Sequence, residues 1–537
     1  MSDKPNPQAL LQLTNVNLRI HDSSILRNVS MRVHEGQVLG IIGESGSGKS
    51  MTALSIMQLL PRGSELSGEL LFGDKNLTEL SEAELCDLRG DDIGMVFQEP
   101  MTALNPVQNI GAQVAESILQ HKQLSRREAL VQAAQVLEKV GLPNKEFPLS
   151  RYPHELSGGQ RQRVVIAIAV ALEPRLLIAD EPTTALDVTT QAEILKLLQS
   201  LVQDSNMAMI LITHDLAVVS DVADHIVIMR NGEVVDSGET SALFNDLSHP
   251  YTKALYDASS HVPYREETQH DNAPLVEVSN LICEYMLPRH SLFAARKTFR
   301  AVNDVSFAIA GGESLGLVGE SGCGKSTLAR ALLGLAPIHS GDIVLHGERM
   351  LQGVALSKKV RRELQVVFQD PYSSFNPRHK VARLVAEPLH ILDEVPSKQE
   401  RLQLVNDALK SVGLSSDDAV KYIHEFSGGQ RQRIAIARAL IIKPKLIVLD
   451  EAVSALDVSV RAQVLDLLAK LADEFGLGYL FISHDLSVVR SITDRVLVMR
   501  NGQIVERGNT EQVFDSPQHE YTKTLLAAVP QLQRQAS

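Results

Sequence analysis

The segment HELSGGQRQRVVIAIAVALEPRLLIADEPTTALDV, residues 154–188, returns as HEFSGGQRQRIAIARALIIKPKLIVLDEAVSALDV at residues 424–458. Ser157 corresponds to Ser427, Asp180 to Asp450, His214 to His484 and Tyr251 to Tyr521, and each pair is 270 residues apart. Such constancy means one domain duplicated, with no insertion in that stretch. Upstream the offset drifts, to 271 between Gln98 and Gln369 and to 276 between Lys49 and Lys325. A period this long describes two whole domains and not a solenoid of small units. A chain of 537 residues is also too long for one compact domain. The expected layout is a first domain at 9–260, a linker at 261–274 and a second domain at 275–537. The linker HVPYREETQHDNAP is polar, proline-bounded and without apolar periodicity.

Short β-branched runs, VLGII at 38–42, LLIAD at 176–180 and MILIT at 209–213, precede helical stretches. That alternation predicts an α/β core in each half, with a largely parallel sheet buried on both faces. Gly43-Glu-Ser-Gly-Ser-Gly-Lys-Ser50 and Gly319-Glu-Ser-Gly-Cys-Gly-Lys-Ser326 both fit the phosphate-loop pattern G-x-x-x-x-G-K-[ST]. Each follows an apolar strand and opens an apolar helix, predicted to run to Pro61 in one half and Pro337 in the other. Gly43, Gly46, Gly48, Gly319, Gly322 and Gly324 let the backbone wrap phosphates, with Ser45 and Ser321 in the same loops. The helix N-terminus adds positive potential. Lys49 and Lys325 supply a point charge, and the hydroxyls of Ser50 and Ser326 are candidate Mg²⁺ ligands. The strands LLIAD and LIVLD end in adjacent acids. Alternation along a strand is expected to turn the two apart. Asp180 and Asp450 are then assigned to the metal, and Glu181 and Glu451 to the attacking water as general base or positioning group.

Composition excludes other classes. Hydrophobic residues make up 44% and charged residues 22%, an ordinary globular balance. The net charge of −13 argues against a nucleic-acid partner. Three cysteines, Cys86, Cys283 and Cys323, form no CxxC pair, so reduced thiols are expected. The start MSDKPNPQALLQL lacks the basic residues and apolar stretch of a secretory signal, and no run of about eighteen apolar residues occurs. A soluble, cytoplasmic protein is expected.

Both halves resemble ABC-transporter nucleotide-binding domains, over essentially the whole chain. The signature sequences Leu156-Ser157-Gly158-Gly159-Gln160 and Phe426-Ser427-Gly428-Gly429-Gln430 are the most specific element. The resemblance implies two tandem P-loop NTPase domains. Each has a mainly parallel core, an antiparallel β subdomain and a helical subdomain carrying the signature. It also implies that Ser157, Gly158, Gly159 and Gln160, and Ser427, Gly428, Gly429 and Gln430, bind the ATP held by the opposite domain. S-G-G at a helix start offers a hydroxyl, bare N–H groups and a dipole to a γ-phosphate. Gln98 and Gln369 match the Q-loop, a catalytic and metal-binding position. Asp187 and Asp457 match the D-loop, and His214 and His484 the catalytic switch histidine.

The segments EPMTALNP and DPYSSFNP after the Q-loop glutamines, with H-x-Y-T-K closing each half, are similar to the peptide/nickel subfamily of ABC importers. The tandem layout is similar to the fused ATPases of Yej-type peptide importers and of the glutathione importer. The implied cofactors are ATP and Mg²⁺. The implied partners are two separate transmembrane permeases and, indirectly, an extracytoplasmic substrate-binding protein, with the chain peripheral on the cytoplasmic side of the bacterial inner membrane. Relatives with an iron–sulfur cluster carry a C-terminal cysteine cluster, and here none follows Cys323. The alternative is a soluble twin-cassette ATPase acting on ribosomes or nucleic acid. It calls for a long basic linker or zinc-binding cysteine pairs, and this sequence has neither.

The halves are unequal. Ile20 stands where the second half has Tyr285, the position of the adenine-stacking aromatic, and Met51 stands where Thr327 continues the second phosphate loop. Ala452 replaces Pro182. Two hydrolytic sites are expected, with weaker nucleotide affinity where Lys49 meets Ser427 than where Lys325 meets Ser157. The second half also carries the insertion MLPRHSLFAARKTFR, which shifts the offset from 265 at Ile20 to 276 at Lys49. It is read as a solvated loop, or else as a membrane or permease contact. Cys323, at a helix N-terminus, has a setting that could lower its pKa.

Overall fold

The computed structural model describes residues 9–98, 103–184, 186–265, 271–287, 298–350, 356–370, 372, 374–454, 456–530 and 532. Two compact units divide the chain between Ser259 and Ser260, apart from short stretches at 187–189 and 530–537. Residues 288–297, most of the insertion, lie outside the described set.

In the first unit a six-stranded sheet runs in the order Glu233–Glu239, His225–Arg230, Val38–Ile42, Ala208–Ile212, Leu176–Asp180, Ile93–Val96. Its pairings are parallel except the outermost, where Glu233–Glu239 lies antiparallel to His225–Arg230. Every residue of Val38–Ile42, Leu176–Asp180 and Ala208–Ile212 is buried, as expected of strands covered on both faces. A four-stranded antiparallel sheet, Ser23–Val33, Leu11–Ile20, Ser64–Phe72 and Lys75–Asn76, accompanies it. A helical layer holds Ile110–His121, Arg126–Lys139 and Gly158–Val170.

The second unit repeats the plan. Its larger sheet runs Leu364–Val367, Leu446–Asp450, Gly478–Ile482, Ser314–Val318, Arg495–Arg500, Gln503–Asn509, again with only the last pairing antiparallel. In the helical layer, Pro388 stands where the first unit has Ser117. The single helix Ile110–His121 is accordingly replaced by Val381–Val385 and a 3₁₀ turn at Glu387–Ile391. Proline supplies no N–H to continue the ladder.

Three expectations of the fold are corrected. The helices opened by the phosphate loops are short, Lys49–Ile56 and Lys325–Leu332, and stop before Pro61 and Pro337. Gln58 and Gly334 adopt left-handed backbone, φ +51° and +67°, which ends each helix first. The third strand expected at 209–213 spans Ala208–Ile212. The segment read as linker is partly structured, since the strand Asp271–Met286 starts inside it. Its beginning is fastened to the second unit. Arg265 donates to the Ile492 carbonyl at 2.6 Å and pairs with Asp494 at 3.1 Å, while His261 Nε2 lies 2.6 Å from Asp466. Arg265→Ala would strand the Ile492 carbonyl, at a cost of about 1–3 kcal/mol for a buried unpaired group. The expected result is a lower urea midpoint for the second unit, read by hydrogen exchange, with the first unit unmoved. Among the described residues no helix is long and apolar enough to cross a membrane.

Candidate functional site

The two phosphate loops are built alike. Gly48 and Gly324 have φ +103° and +114°, and a Cβ there would meet Leu26 at 2.7 Å or the Ala301 carbonyl at 2.1 Å. Only glycine fits both constraints. The helix then starts at the lysine. Lys49 Nζ donates to the carbonyls of Gly43 at 2.7 Å and Glu44 at 3.0 Å, and Lys325 Nζ to Gly319 at 2.6 Å and Glu320 at 2.9 Å. Both lysines are buried in loops of backbone amides, a cradle for phosphate. At Gly46 and Gly322 nothing lies within 4 Å of where a Cβ would stand, so the loops face open space.

The strands Leu176–Asp180 and Leu446–Asp450 end beside these loops. The Ser50 hydroxyl donates to Asp180 Oδ1 at 3.2 Å, while Asp450 Oδ1 is buried with no hydrogen-bond partner. Burial raises the pKa of both aspartates. A buried carboxylate oxygen in need of a partner, and a serine hydroxyl on an aspartate, suit a hard divalent cation.

The adjacent glutamates diverge for a reason other than strand alternation. Glu181 and Glu451 lie just past the strand ends in left-handed backbone, φ +46° and +51°, and this conformation, costly for a residue with a Cβ, turns their carboxylates aside. Gln98 Nε2 donates to Glu181 Oε2 at 2.8 Å, and His214 Nδ1 lies 3.3 Å from Oε1. Gln369 donates to Glu451 Oε2 at 2.7 Å, and His484 Nδ1 is 3.5 Å from Oε1. Residues from two other stretches thus converge on each glutamate.

The clusters differ by one bond that sequence reading missed. The Thr184 hydroxyl donates to Glu181 Oε2 at 2.8 Å, whereas its counterpart Ser454 donates to the Glu451 backbone carbonyl at 2.9 Å. Burial opposes the charge on Glu181, but His214, Thr184 and Gln98 outweigh it and hold the carboxyl down to about 2. Glu451 is also lowered, against burial, chiefly by His484. The contrast between E-P-T-T and E-A-V-S marks the position in the sequence but not where either hydroxyl points.

The signature residues open the helices Gly158–Val170 and Gly428–Leu440. Ser157 Oγ accepts from Gln160 N–H at 3.3 Å and Gln160 Oε1 accepts from Ser157 N–H at 3.0 Å. Ser427 and Gln430 do the same at 3.4 and 3.0 Å. Each glutamine side chain therefore closes a capping box. The second signature glycine has a packing role too. A Cβ on Gly159 would meet Thr190 Cγ2 at 2.3 Å, and one on Gly429 would meet Val460 Cγ1 at 2.2 Å, while Gly428 faces open space. Gly429→Ala is expected to cost about 1–3 kcal/mol by overpacking and Gly428→Ala much less; urea melts of the two variants check this.

Tyr285 sits near the end of the inner strand Asp271–Met286, opposite Phe299, and Ile20 occupies the matching place opposite Ser23. Tyr285 is 37% exposed, leaving its ring open to a ligand. The lowered pKa expected of Cys323 is not found. The residue is buried, and burial pushes the thiol up despite Lys325 nearby.

A loop that cradles phosphate, acids poised at its side and a serine-capped glycine helix, present twice on an α/β chain, describe an ATP-binding cassette enzyme. The chain belongs to the ABC transporter family, whose profile matches residues 26–184 and 302–454, and it is an ATPase. The profile of the oligopeptide/dipeptide transporter C-terminal region matches 235–286 and 505–537. The chain is 45% identical over 570 residues to the glutathione import ATP-binding protein GsiA of Escherichia coli K12, covering 98% of this chain and 91% of that protein. The Shigella flexneri protein of the same name is 44% identical with the same coverage. Among solved structures, a cassette dimer bound to ADP and Pi aligns with TM-score 0.39 and 30% identity over 43% of this chain and 98% of its own. A Clostridium perfringens cassette, part of the transporter complex cbiONQ, aligns with TM-score 0.40 and 28% identity over 46% and 99%.

Proposed function

We propose that this chain is the ATP-hydrolysing motor of an importer for peptides or related small solutes, glutathione among them. The observation that carries the reading is the glutamate held between Gln98 and His214, and again between Gln369 and His484, beside a lysine-bearing phosphate loop. The full-length likeness to glutathione import ATPases supplies the direction and solute class.

In each site the loop amides and Lys49 or Lys325 bind the β- and γ-phosphates. Ser50 with Asp180 and Gln98, and Ser326 with Asp450 and Gln369, would hold Mg²⁺, which would supply charge neutralisation on the phosphates. The attacking water is held by Glu181 or Glu451, which takes its proton as the water oxygen bonds to the γ-phosphorus. The bond from that phosphorus to the β-γ bridging oxygen breaks in line, and ADP carries the electron pair away. Oε2 of Glu181 already accepts from Gln98 and Thr184, which leaves Oε1, beside His214, as the oxygen with room for the water. Tyr285 stacks on adenine in one site only. Ser157 with Gly158–Gln160, and Ser427 with Gly428–Gln430, complete the site of the opposite half, as the family resemblance implies.

Two permeases form the membrane path and a binding protein selects the solute, with this chain on the cytoplasmic face of the inner membrane. Affinity purification of tagged chain from detergent-solubilised membranes tests the assignment. Co-purification of two polytopic proteins is expected. Sedimentation with ribosomes, and no membrane partner, would sink it.

A further inference from the structure

The closing motif H-x-Y-T-K, at 249–253 and 519–523, has no part in the chemistry above, yet it reaches the phosphate loop. In the second unit, Glu506 on the strand Gln503–Asn509 accepts from the backbone N–H groups of Gln518 at 2.7 Å and His519 at 3.0 Å. His519 Nδ1 then accepts from Tyr521 N–H at 3.1 Å and caps the helix Glu520–Ala527. This anchoring turns Tyr521 inward, where it is 4% exposed and lies under the Arg500 guanidinium at 4.7 Å. Its hydroxyl oxygen accepts from the backbone N–H of Glu320 at 3.0 Å. Glu320 is the second residue of the phosphate loop, and its carbonyl, with that of Gly319, receives Lys325 Nζ.

We propose that Tyr521 is a positioning residue for ATP binding, fixing the first turn of the second phosphate loop and through it Lys325. The motif is thereby a strut from the C-terminal helix to the nucleotide. The first half supplies an internal comparison. Tyr251 is likewise buried under Arg230, at 4.6 Å, with its hydroxyl against the equivalent loop residue, Glu44. Burial keeps the Tyr521 hydroxyl protonated through the physiological range.

The inference rests on the phosphate-loop reading given above, and the test separates the two. ATP binding to the full chain is titrated calorimetrically, with Lys49→Ala silencing the first site. Adding Tyr521→Phe keeps ring, volume and cation–π contact but removes the acceptor. The dissociation constant is expected to rise about 5–10-fold, the size of one lost hydrogen bond. Turnover at saturating ATP should change less than about twofold, and the Glu320 amide should exchange faster with deuterium. An unchanged dissociation constant in the Tyr521→Phe variant, or a loss confined to kcat, would overturn the proposal. ATP binding retained by the Lys49→Ala/Lys325→Ala variant would overturn the phosphate-loop reading, and the tyrosine proposal with it.

Discussion

Replacing Glu181 and Glu451 together by glutamine is expected to lower ATP turnover about 10²–10⁴-fold while leaving nucleotide binding within a few-fold of wild type. A positioned general base is worth that factor, and glutamine keeps the shape of the side chain while losing its affinity for a proton. Each single variant should retain turnover from the other site. Phosphate release at saturating ATP checks the rate, and full turnover in the double variant would defeat the assignment. The pH dependence has a definite sign. The folded-state pKa of Glu181 is depressed from 4.5 to about 2, so the stability it contributes is complete above about pH 4.5 and is lost as the pH falls toward about 2. Removing the imidazole with His214→Ala should move that loss to higher pH, as read by acid titration of the fold.

The second large effect concerns the lysines. Lys49→Ala and Lys325→Ala each remove an ammonium held by two loop carbonyls, and each should weaken ATP at its own site by roughly 10–100-fold, from about 1.5–3 kcal/mol for hydrogen bonds to a charged group. The residual affinities should differ. Lys49→Ala leaves the site with the open Tyr285 ring, while Lys325→Ala leaves the site where Ile20 stands. A stacking difference of about 1 kcal/mol makes the second variant about fivefold weaker. Calorimetric titration of both variants checks this, and equal residual affinities would remove the asymmetry.

Much of the site was legible because its chemistry is local. A phosphate loop needs its glycines, lysine and serine within eight residues, so Lys49 and Lys325 could be named before any contact was known. The α/β core was legible from runs such as LLIAD, whose burial on both faces leaves no polar alternation. What escaped depends on tertiary context. Nothing in the local sequence says that Glu181 leaves its strand in left-handed backbone, or that Thr184 reaches the carboxylate while Ser454 turns to a carbonyl. The bulk of Thr190 and Val460 against Gly159 and Gly429 is a contact between helices, invisible to a motif. For Cys323 the helix N-terminus was visible and the burial was not, and burial dominates.

The central claim is that ATP hydrolysis by this chain drives solute import, and uptake tests it most directly. Cells of the source organism lacking the chain would be supplied with wild-type protein or with the Glu181→Gln/Glu451→Gln variant, and accumulation of radiolabelled glutathione and of di- and tripeptides measured. Restored uptake of at least one of these solutes by wild type, and none by the variant, is the expected result. Uptake restored equally by the variant, or unaffected by loss of the chain for every solute, would contradict the account.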